Sequence, residues 1–273
     1  MDIYAQITQF YQHVHAEKIV YGKSLLGRKL YAIKVGDGKP IGLAQYALHA
    51  REWITAKLAI YHYQIGVAKG SLWILPLTNP DGALLSQTGI GSVKNPFLRK
   101  KLLTVNGGKD FSLWKANARG VDLNVNFDAC FGKGMKNIFY PAAENYVGKR
   151  PFSEPETRAL RKFTLQIQPD YTVSYHTKGE EIYWYFHQPV GVCPRDKALA
   201  SVLSQTTGYP LCQAKGSAGG YKDWCIQTLK IPSFTVETGQ DGFAHPLDEN
   251  ALADIVEKNQ FALYNLSKEY TLL

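Results

Sequence analysis

Short apolar segments alternate with segments of helical periodicity along the 273 residues, and this alternation limits the possible folds more than any other feature. The predicted strands, most of them bounded by Gly or Pro, are residues 29–35, 41–48, 71–77, 170–175 and 233–237. The predicted helices are residues 53–68, 153–167, 194–206, 219–229 and 248–268. This order predicts one α/β domain over residues 1–273, with a mixed, mostly parallel sheet flanked by helices.

Two long segments interrupt the alternation. Residues 87–109 are rich in Gly, Lys and Asn, and residues 124–150 contain several glycines and little periodicity. Long loops in a compact domain are usually functional. We therefore expect both segments to border a functional site.

Charge and cysteine content narrow the choice of partners. The formal net charge is +8, but Lys and Arg are scattered, and no stacking-aromatic motif accompanies the one local cluster, Arg99-Lys100-Lys101. We expect no nucleic-acid partner, and instead a basic surface that attracts a carboxylate-rich peptide or a wall polymer. The four cysteines lack CxxC spacing, so we expect reduced thiols.

The apolar runs of the chain, such as residues 41–48 and 72–77, are too short to span a membrane, so no membrane insertion is expected. The first residues lack a basic region followed by an apolar stretch, which is the pattern of a secretory signal. We therefore expect a cytoplasmic protein, or an extracellular or wall-associated one if a leader has been removed. The sequence leaves the oligomeric state open.

Two histidines and a glutamate stand where a metal site could be built. His49 and Glu52 follow a predicted strand and open a predicted helix, which is where open α/β sheets bind ligands. Imidazole and carboxylate suit Zn²⁺, and His176 at the end of another strand would complete three ligands with a fourth position open to water. Taken alone, His-x-x-Glu also occurs by chance, and a strand-end His is often structural.

A carboxylate ends a third apolar strand. A charge at Glu237 is unexpected unless a metal or an opposite charge lies beside it. Next to a metal site, Glu237 could take a proton from water and later deliver it to a leaving amine. The alternative is a strand-end carboxylate that points into solvent.

These residues, in this order, resemble the metallocarboxypeptidases of peptidase family M14. Residues 22–30 are similar to the family's GxSxxGRxL stretch, residues 79–82 to its NPDG turn, and residues 120–124 to its GVDLN segment. The resemblance covers nearly the whole chain. It implies a carboxypeptidase-like fold, one Zn²⁺ per chain held by His49, Glu52 and His176, and Glu237 as general base.

One position departs from the family. After GVDL, the family continues Asn-Arg-Asn, and the Arg clamps the terminal carboxylate of the substrate; this sequence reads Asn124-Val125-Asn126. Valine has no donor, whereas Arg offers a bidentate fork. Carboxypeptidase action at a free C-terminus is therefore in question unless another residue has taken over the clamp.

Two further segments, residues 176–184 and 219–224, resemble the γ-D-glutamyl-L-diamino acid endopeptidase I branch of the family. Those bacterial enzymes cut peptidoglycan stem peptides between γ-linked D-Glu and meso-diaminopimelate or Lys. The resemblance implies that activity here, with a peptide or muropeptide substrate. The alternatives are a metallocarboxypeptidase that releases C-terminal residues from ordinary L-peptides, and an inert wall-peptide binding module, against which the intact metal residues argue.

The resemblance also implies an oxyanion donor and substrate-binding residues. Arg119 has the chemistry of the family's donor and is preferred, while Lys115 stands where an alignment on the preceding Trp puts the donor. Asn124 matches the family's substrate-binding Asn. Tyr221 and Lys222 are also expected to bind substrate, because digestive members read the residue after the cut near Lys222, and a lysine there would suit a carboxylate.

Overall fold

Eight strands form one mixed sheet in the computed structural model, which describes residues 1–270; the last three residues of the predicted domain, 271–273, lie outside it. The strands are β1 (Lys18–Lys23), β2 (Lys29–Gly36), β3 (Ile41–Tyr46), β4 (Ser71–Leu75), β5 (Tyr171–His176), β6 (Glu181–Tyr183), β7 (Leu211–Cys212) and β8 (Ser233–Glu237). The helices are α1 (Ile3–His13), α2 (Thr55–Ile65), α3 (Pro80–Thr88), α4 (Pro96–Asn106), α5 (Pro155–Ile167), α6 (Cys193–Thr207), α7 (Tyr221–Trp224), α8 (Leu252–Asn259) and α9 (Ala262–Glu269).

The strand order in the sheet is β1-β2-β4-β3-β5-β8-β6-β7. The central strands β4, β3, β5 and β8 run parallel, so their carboxyl ends meet at one edge. Antiparallel pairs of β2 with β4 and of β6 with β8 flank this centre. The predicted α/β architecture, a mixed sheet flanked by helices, is confirmed.

The central strands are buried on both faces. In β4, Leu72 and Ile74 join one apolar cluster, with residues of α2, α8 and α9, while Trp73 and Leu75 join a second cluster that contains Leu160 of α5. A strand covered on both faces appears in sequence as a continuous apolar run. This is why the central strands could be predicted to within a few residues.

Residues 87–109 do not form the expected loop. About half of the segment is α4, whose N-terminus is capped by the side chain of Asn95 and whose last turn ends at Gly107 with φ of 70°. Only Leu102 of this helix is fully buried, and basic residues cover its outer face. Because the apolar stripe of α4 is narrow, the sequence shows no clear helical period in this segment.

The second interrupted segment is irregular, as expected. Apart from one turn of 3-10 helix at Leu123–Val125 and one isolated bridge, residues 124–150 contain no helix or strand. The side-chain amide of Asn126 donates to the backbone carbonyls of Val147 and Arg150, and the backbone N–H of Phe152 donates to the carbonyl of Asn126. These bonds fix the loop without regular structure.

Several short or surface elements were not predicted. They are α1, β1, α3, β6 and β7, and the predicted helix 248–268 is divided into α8 and α9. Within residues 1–270, no helix is long and apolar enough to cross a membrane. The expectation of reduced thiols is confirmed, because all four cysteines are free.

Candidate active site

The carboxyl edge of the parallel strands gathers the predicted metal and acid–base residues. His49 follows β3, His176 is the last residue of β5, and Glu237 is the last residue of β8. His176 and Glu237 are direct partners in the β5–β8 ladder. Glu52 ends a short 3-10 turn, Ala50–Glu52, that turns the chain back toward His49. The parallel register therefore brings together side chains that are far apart in the sequence.

The side chains of His49, Glu52 and His176, which together are called the metal group, converge on one point. The carboxylate of Glu52 lies 2.8 Å from Nδ1 of His49 and 2.8 Å from Nδ1 of His176. The two Nδ1 atoms are 3.0 Å apart, and all three side chains are buried. Two imidazole nitrogens directed at each other and at a carboxylate need a proton or a cation between them. Two nitrogens and one carboxylate are a donor set that fits Zn²⁺.

Asp122 orients His49 from behind. One carboxylate oxygen of Asp122 lies 3.4 Å from Nε2 of His49, long for a hydrogen bond, and the other lies 3.0 Å from Nζ of Lys115. Burial alone would raise the pKa of Asp122, but Lys115 and His49 outweigh burial and hold this pKa well below its usual range. An ionised Asp122 keeps Nδ1 of His49 turned toward the metal group. Asp122 was not among the residues predicted from the sequence, although it lies in the GVDLN segment.

Glu237 lies beside the metal group, because it is the strand partner of His176. Burial raises the pKa of the Glu237 carboxyl to about 7; the electrostatic interaction with His176 opposes this rise, and the negative charge of Glu52 adds to it. A carboxyl group that titrates near neutral pH can both accept and release a proton there. The environment of Glu237 therefore suits acid–base work.

The metal group borders, through His49, a cavity of about 560 Å³, a size that suits a small ligand or part of a peptide. His49, Lys115, Asn124 and Glu237 line it. The irregular segment 124–150 borders the cavity, as expected, and contributes Val125, Met135, Lys136 and Asn145. Residues 87–109, which were also expected there, contribute none of the described lining residues.

The cavity is rich in lysine. Lys115 and Lys222 line it and are each paired with a buried aspartate. Lys136 and Lys215 lie exposed at its edge, and neither forms an ion pair with any residue of the described range 1–270. Two unpaired cations at the entrance favour an anionic ligand. Neither lysine was predicted from the sequence, because no local pattern indicates that an exposed lysine borders a cavity.

Two predicted substrate or catalytic residues do not line the cavity. Arg119 is 44% exposed and its guanidinium lies 3.4 Å from the carboxylate of Glu154. Tyr221 is fully buried in the core, and its hydroxyl is hydrogen-bonded to the hydroxyl of Thr164 at 2.8 Å. The expectation of substrate contact by Tyr221 is thus wrong for this structure. Of the two candidate oxyanion donors, Lys115 is the one that faces the cavity.

Asn124 and Val125 stand side by side in the cavity wall. The side-chain oxygen of Asn124 accepts from the backbone N–H of Tyr221 at 3.1 Å, which fixes the orientation of its amide. The backbone of Val125 packs against Gly219, where φ is 85° and an added Cβ would lie 2.9 Å from the Val125 carbonyl oxygen. Glycine at 219 therefore lets the two wall segments approach closely. The side chain at 125 offers no donor to a carboxylate.

Comparison with known proteins agrees with this geometry. Residues 4–262 match the zinc carboxypeptidase family Peptidase_M14. The chain is 32% identical over 250 residues to γ-D-glutamyl-L-diamino acid endopeptidase 1 of Lysinibacillus sphaericus, covering 84% of this chain and 62% of that protein. It is 35% identical over 134 residues to murein peptide amidase A of Escherichia coli (strain K12), covering 45% of this chain and 50% of that protein.

Among solved structures, bovine thrombin-activatable fibrinolysis inhibitor in complex with a tick carboxypeptidase inhibitor superimposes with a TM-score of 0.79. That match covers 100% of this chain and 97% of the other at 20% identity, so it shows a shared fold. The chain spans 62% and 64% of the length of the first two curated relatives that it matches.

The contact between Asp122 and His49 predicts an effect on metal affinity. Asp122→Asn keeps the size of the side chain but removes its charge, so it should weaken divalent-metal binding by about 10–100-fold. Competition against a chelator measures this, with circular dichroism to confirm folding. Asp128→Asn, at an exposed carboxylate, is the matched control and should bind metal normally. Unchanged metal affinity in a folded Asp122→Asn variant would show that Asp122 does not orient His49 for metal binding.

Proposed function

The chain belongs to the zinc carboxypeptidase family M14, and from this membership we propose that it hydrolyses the bond between γ-D-Glu and a diamino acid in peptidoglycan stem peptides. The observation that carries the proposal is an intact metal group beside Glu237 in a cavity whose wall has Val125 in place of the arginine clamp. An enzyme without that clamp can accept stems that continue beyond the cut.

We expect one Zn²⁺ per chain, held by His49, Glu52 and His176. When bound, the ion supplies Lewis acidity, which polarises a carbonyl group and lowers the pKa of a water molecule. The buried donor set supports this assignment, because two imidazoles and one carboxylate leave a fourth position for water or substrate. Asp122 would hold His49 in its binding orientation.

Glu237 would act as general base and then as general acid. It would take a proton from the attacking water and deliver that proton to the nitrogen of the departing diamino acid. A pKa of about 7 supports both steps near neutral pH. The position of Glu237, paired with His176 across the ladder, keeps the carboxylate beside the metal group.

Lys115 would stabilise the negative charge that develops on the scissile carbonyl oxygen. Burial alone would lower the pKa of Lys115, but Asp122 and Glu52 raise it overall, so the ammonium stays charged. A fixed cation in a mostly water-excluded site stabilises an oxyanion more than it would in water. We therefore propose Lys115 rather than Arg119 for this role.

The substrate proposal rests on charge and on relatives. A stem peptide carries a free carboxylate on D-Glu and another on diaminopimelate, and the unpaired Lys136 and Lys215 at the cavity edge would attract them. The endopeptidase and the murein peptide amidase among the relatives point to the same class of substrate. We further propose that residues 1–273 form one catalytic domain; the compartment in which it acts stays a prediction.

The proposed bond specificity has a direct test. Zinc-loaded protein is incubated with L-Ala-γ-D-Glu-diaminopimelate, with its D-Ala-extended tetrapeptide, and with a hippuryl-type L-dipeptide, and all products are identified by mass. We expect cleavage after γ-D-Glu in both stems and little cleavage of the L-dipeptide, because Val125 cannot hold a terminal carboxylate. Cleavage of the L-dipeptide alone would contradict the proposal and would indicate an ordinary carboxypeptidase.

Two variants control that experiment. Glu237→Gln removes the base and should lower turnover by about 10²–10⁴-fold while metal content is retained. Glu257→Gln, at an exposed position on α8, should behave as the unmodified protein. Stem cleavage that persists in Glu237→Gln would point to a contaminating peptidase or to another base.

The choice between the two candidate oxyanion donors predicts unequal effects. Lys115→Met should lower kcat by about 10²–10³-fold, because a donor to the oxyanion is lost. Arg119→Met should change kcat less than about threefold, because its guanidinium is bonded to Glu154 outside the cavity. Steady-state kinetics on the stem tripeptide measure both. A larger loss of kcat in Arg119→Met than in Lys115→Met would indicate that Arg119 is the oxyanion donor.

A further inference from the structure

The basic residues on and beside α4 have no part in the proposed chemistry. Residues 89–109 contain no Asp or Glu, and five cations stand among them: Lys94, Arg99, Lys100, Lys101 and Lys109. All five residues are exposed, and none of their side chains forms an ion pair with a residue of the described range 1–270. Like charges this close in the chain repel one another. A surface that concentrates uncompensated positive charge in this way favours an anionic partner.

These five residues, which together are called the α4 basic surface, surround an open groove. The groove has a volume of about 700 Å³ and is lined by Pro96, Arg99, Lys100, Leu103, Thr104, Gly107, Gly108 and Lys109. An added Cβ at Gly107 or Gly108 would meet no atom within 4 Å, so no side chain fills that end of the groove. Cations thus stand at the first turns of the helix and again beyond its last turn. This arrangement suits an extended chain that carries repeated negative charges.

A hydrated polymer fits the α4 basic surface better than a lipid bilayer does. A helix that binds in a bilayer interface needs a free apolar face. The apolar stripe of α4, formed by Leu98, Leu102 and Val105, is already packed in the cluster that contains Trp114. Within this helix, all of which the structure describes, Phe97 is the one large apolar residue that is exposed, at 85%. A single ring is not an apolar face, so charge is the main attraction that α4 offers.

The α4 basic surface is close to the cavity along the chain. Lys109 precedes Lys115 of the cavity wall by six residues, and a segment of that length spans at most about 22 Å. The segment is not fully extended, because the backbone N–H of Trp114 donates to the carbonyl of Phe111. A polymer with peptide stems at regular intervals can therefore contact the surface while one of its stems lies in the cavity.

We propose that the α4 basic surface is a docking site for the peptidoglycan polymer, which it binds through the repeated carboxylates of neighbouring stems. This inference rests on the proposed function, because the partner is the polymer whose stems the cavity would accept. The role differs from that of Lys136 and Lys215, which border the cavity and would meet the stem that is cut. Several weak contacts made at once hold a polymer far better than they hold a single stem.

Arg99→Gln/Lys100→Gln/Lys101→Gln, called the α4 variant, removes three of the five charges. Gln has nearly the same helix propensity as Lys and Arg, and Leu102 stays in place, so the helix should be retained. Circular dichroism checks this.

Lys23→Gln/Lys162→Gln/Lys197→Gln is the matched control. It removes the same charge from exposed lysines of β1, α5 and α6, which lie outside the α4 basic surface. The control separates an effect of this surface from an effect of the net charge of the protein.

Binding is measured by pelleting the zinc-loaded protein with purified, insoluble peptidoglycan. All three proteins carry Glu237→Gln, so that the polymer is not digested. We expect the dissociation constant to rise roughly 10-fold in the α4 variant at low ionic strength, because three exposed contacts are lost together, and to stay unchanged in the control. Added salt should weaken binding of the unmodified surface more than that of the α4 variant.

Kinetics give the second readout, now with the active base in place. The unmodified protein and both triple variants are compared on soluble peptidoglycan fragments and on the free stem tripeptide. In the α4 variant, KM for the polymer should rise about 10-fold at unchanged kcat, because docking raises the local concentration of stems and does not touch the reacting atoms. Both constants for the free tripeptide should stay unchanged.

The outcomes separate this inference from the proposed function. Unchanged polymer binding in the α4 variant, or an equal loss in both triple variants, would overturn the inference alone. Vesicles of phosphatidylglycerol and phosphatidylcholine are a further arm. If the α4 variant lost binding to these vesicles and not to the polymer, the partner would be a lipid surface and the inference would be wrong. Polymer binding that depends on α4, with no stem cut by the active protein, would support the docking site and contradict the proposed function.

Discussion

The parallel pairing of β5 with β8 is the constraint on which the rest of the site depends. It sets His176 opposite Glu237 at the edge of the sheet, and the neighbouring β3 delivers His49 to the same edge. Because these strands are buried on both faces, their register is fixed by core packing and not by the site itself. The metal group and the base are thus held by the buried centre of the sheet, and the loops around them border the cavity.

Charge neutralisation links the elements of the cavity. Glu52 lies between two imidazoles, and Asp122 lies between His49 and Lys115, so each buried charge has an opposite charge within reach. The same rule produces the pair of Lys222 and Asp223 on the other wall segment. A site built from compensated charges can bind a highly charged peptide without leaving an ion uncompensated when the substrate departs.

The central strands and the metal group could be predicted from the sequence because both leave a local pattern in it. The strands appear as apolar runs, and the metal ligands as His and Glu at or just after strand ends. The prediction failed where the direction of a side chain decides whether a residue faces the cavity. Tyr221 and Lys222 are adjacent, yet one points into the core and the other into the cavity. Arg119 has the better chemistry for an oxyanion, but the chain turns it toward Glu154, while Lys115 faces inward.

The central claim is that His49, Glu52 and His176 hold a zinc ion beside Glu237. Anomalous diffraction at the zinc absorption edge, from crystals of the zinc-loaded protein, tests it most directly. The account predicts one peak per chain, about 2.0–2.2 Å from Nδ1 of both histidines and from the glutamate oxygen. A peak elsewhere, or none while the three side chains remain bonded to one another, would contradict it.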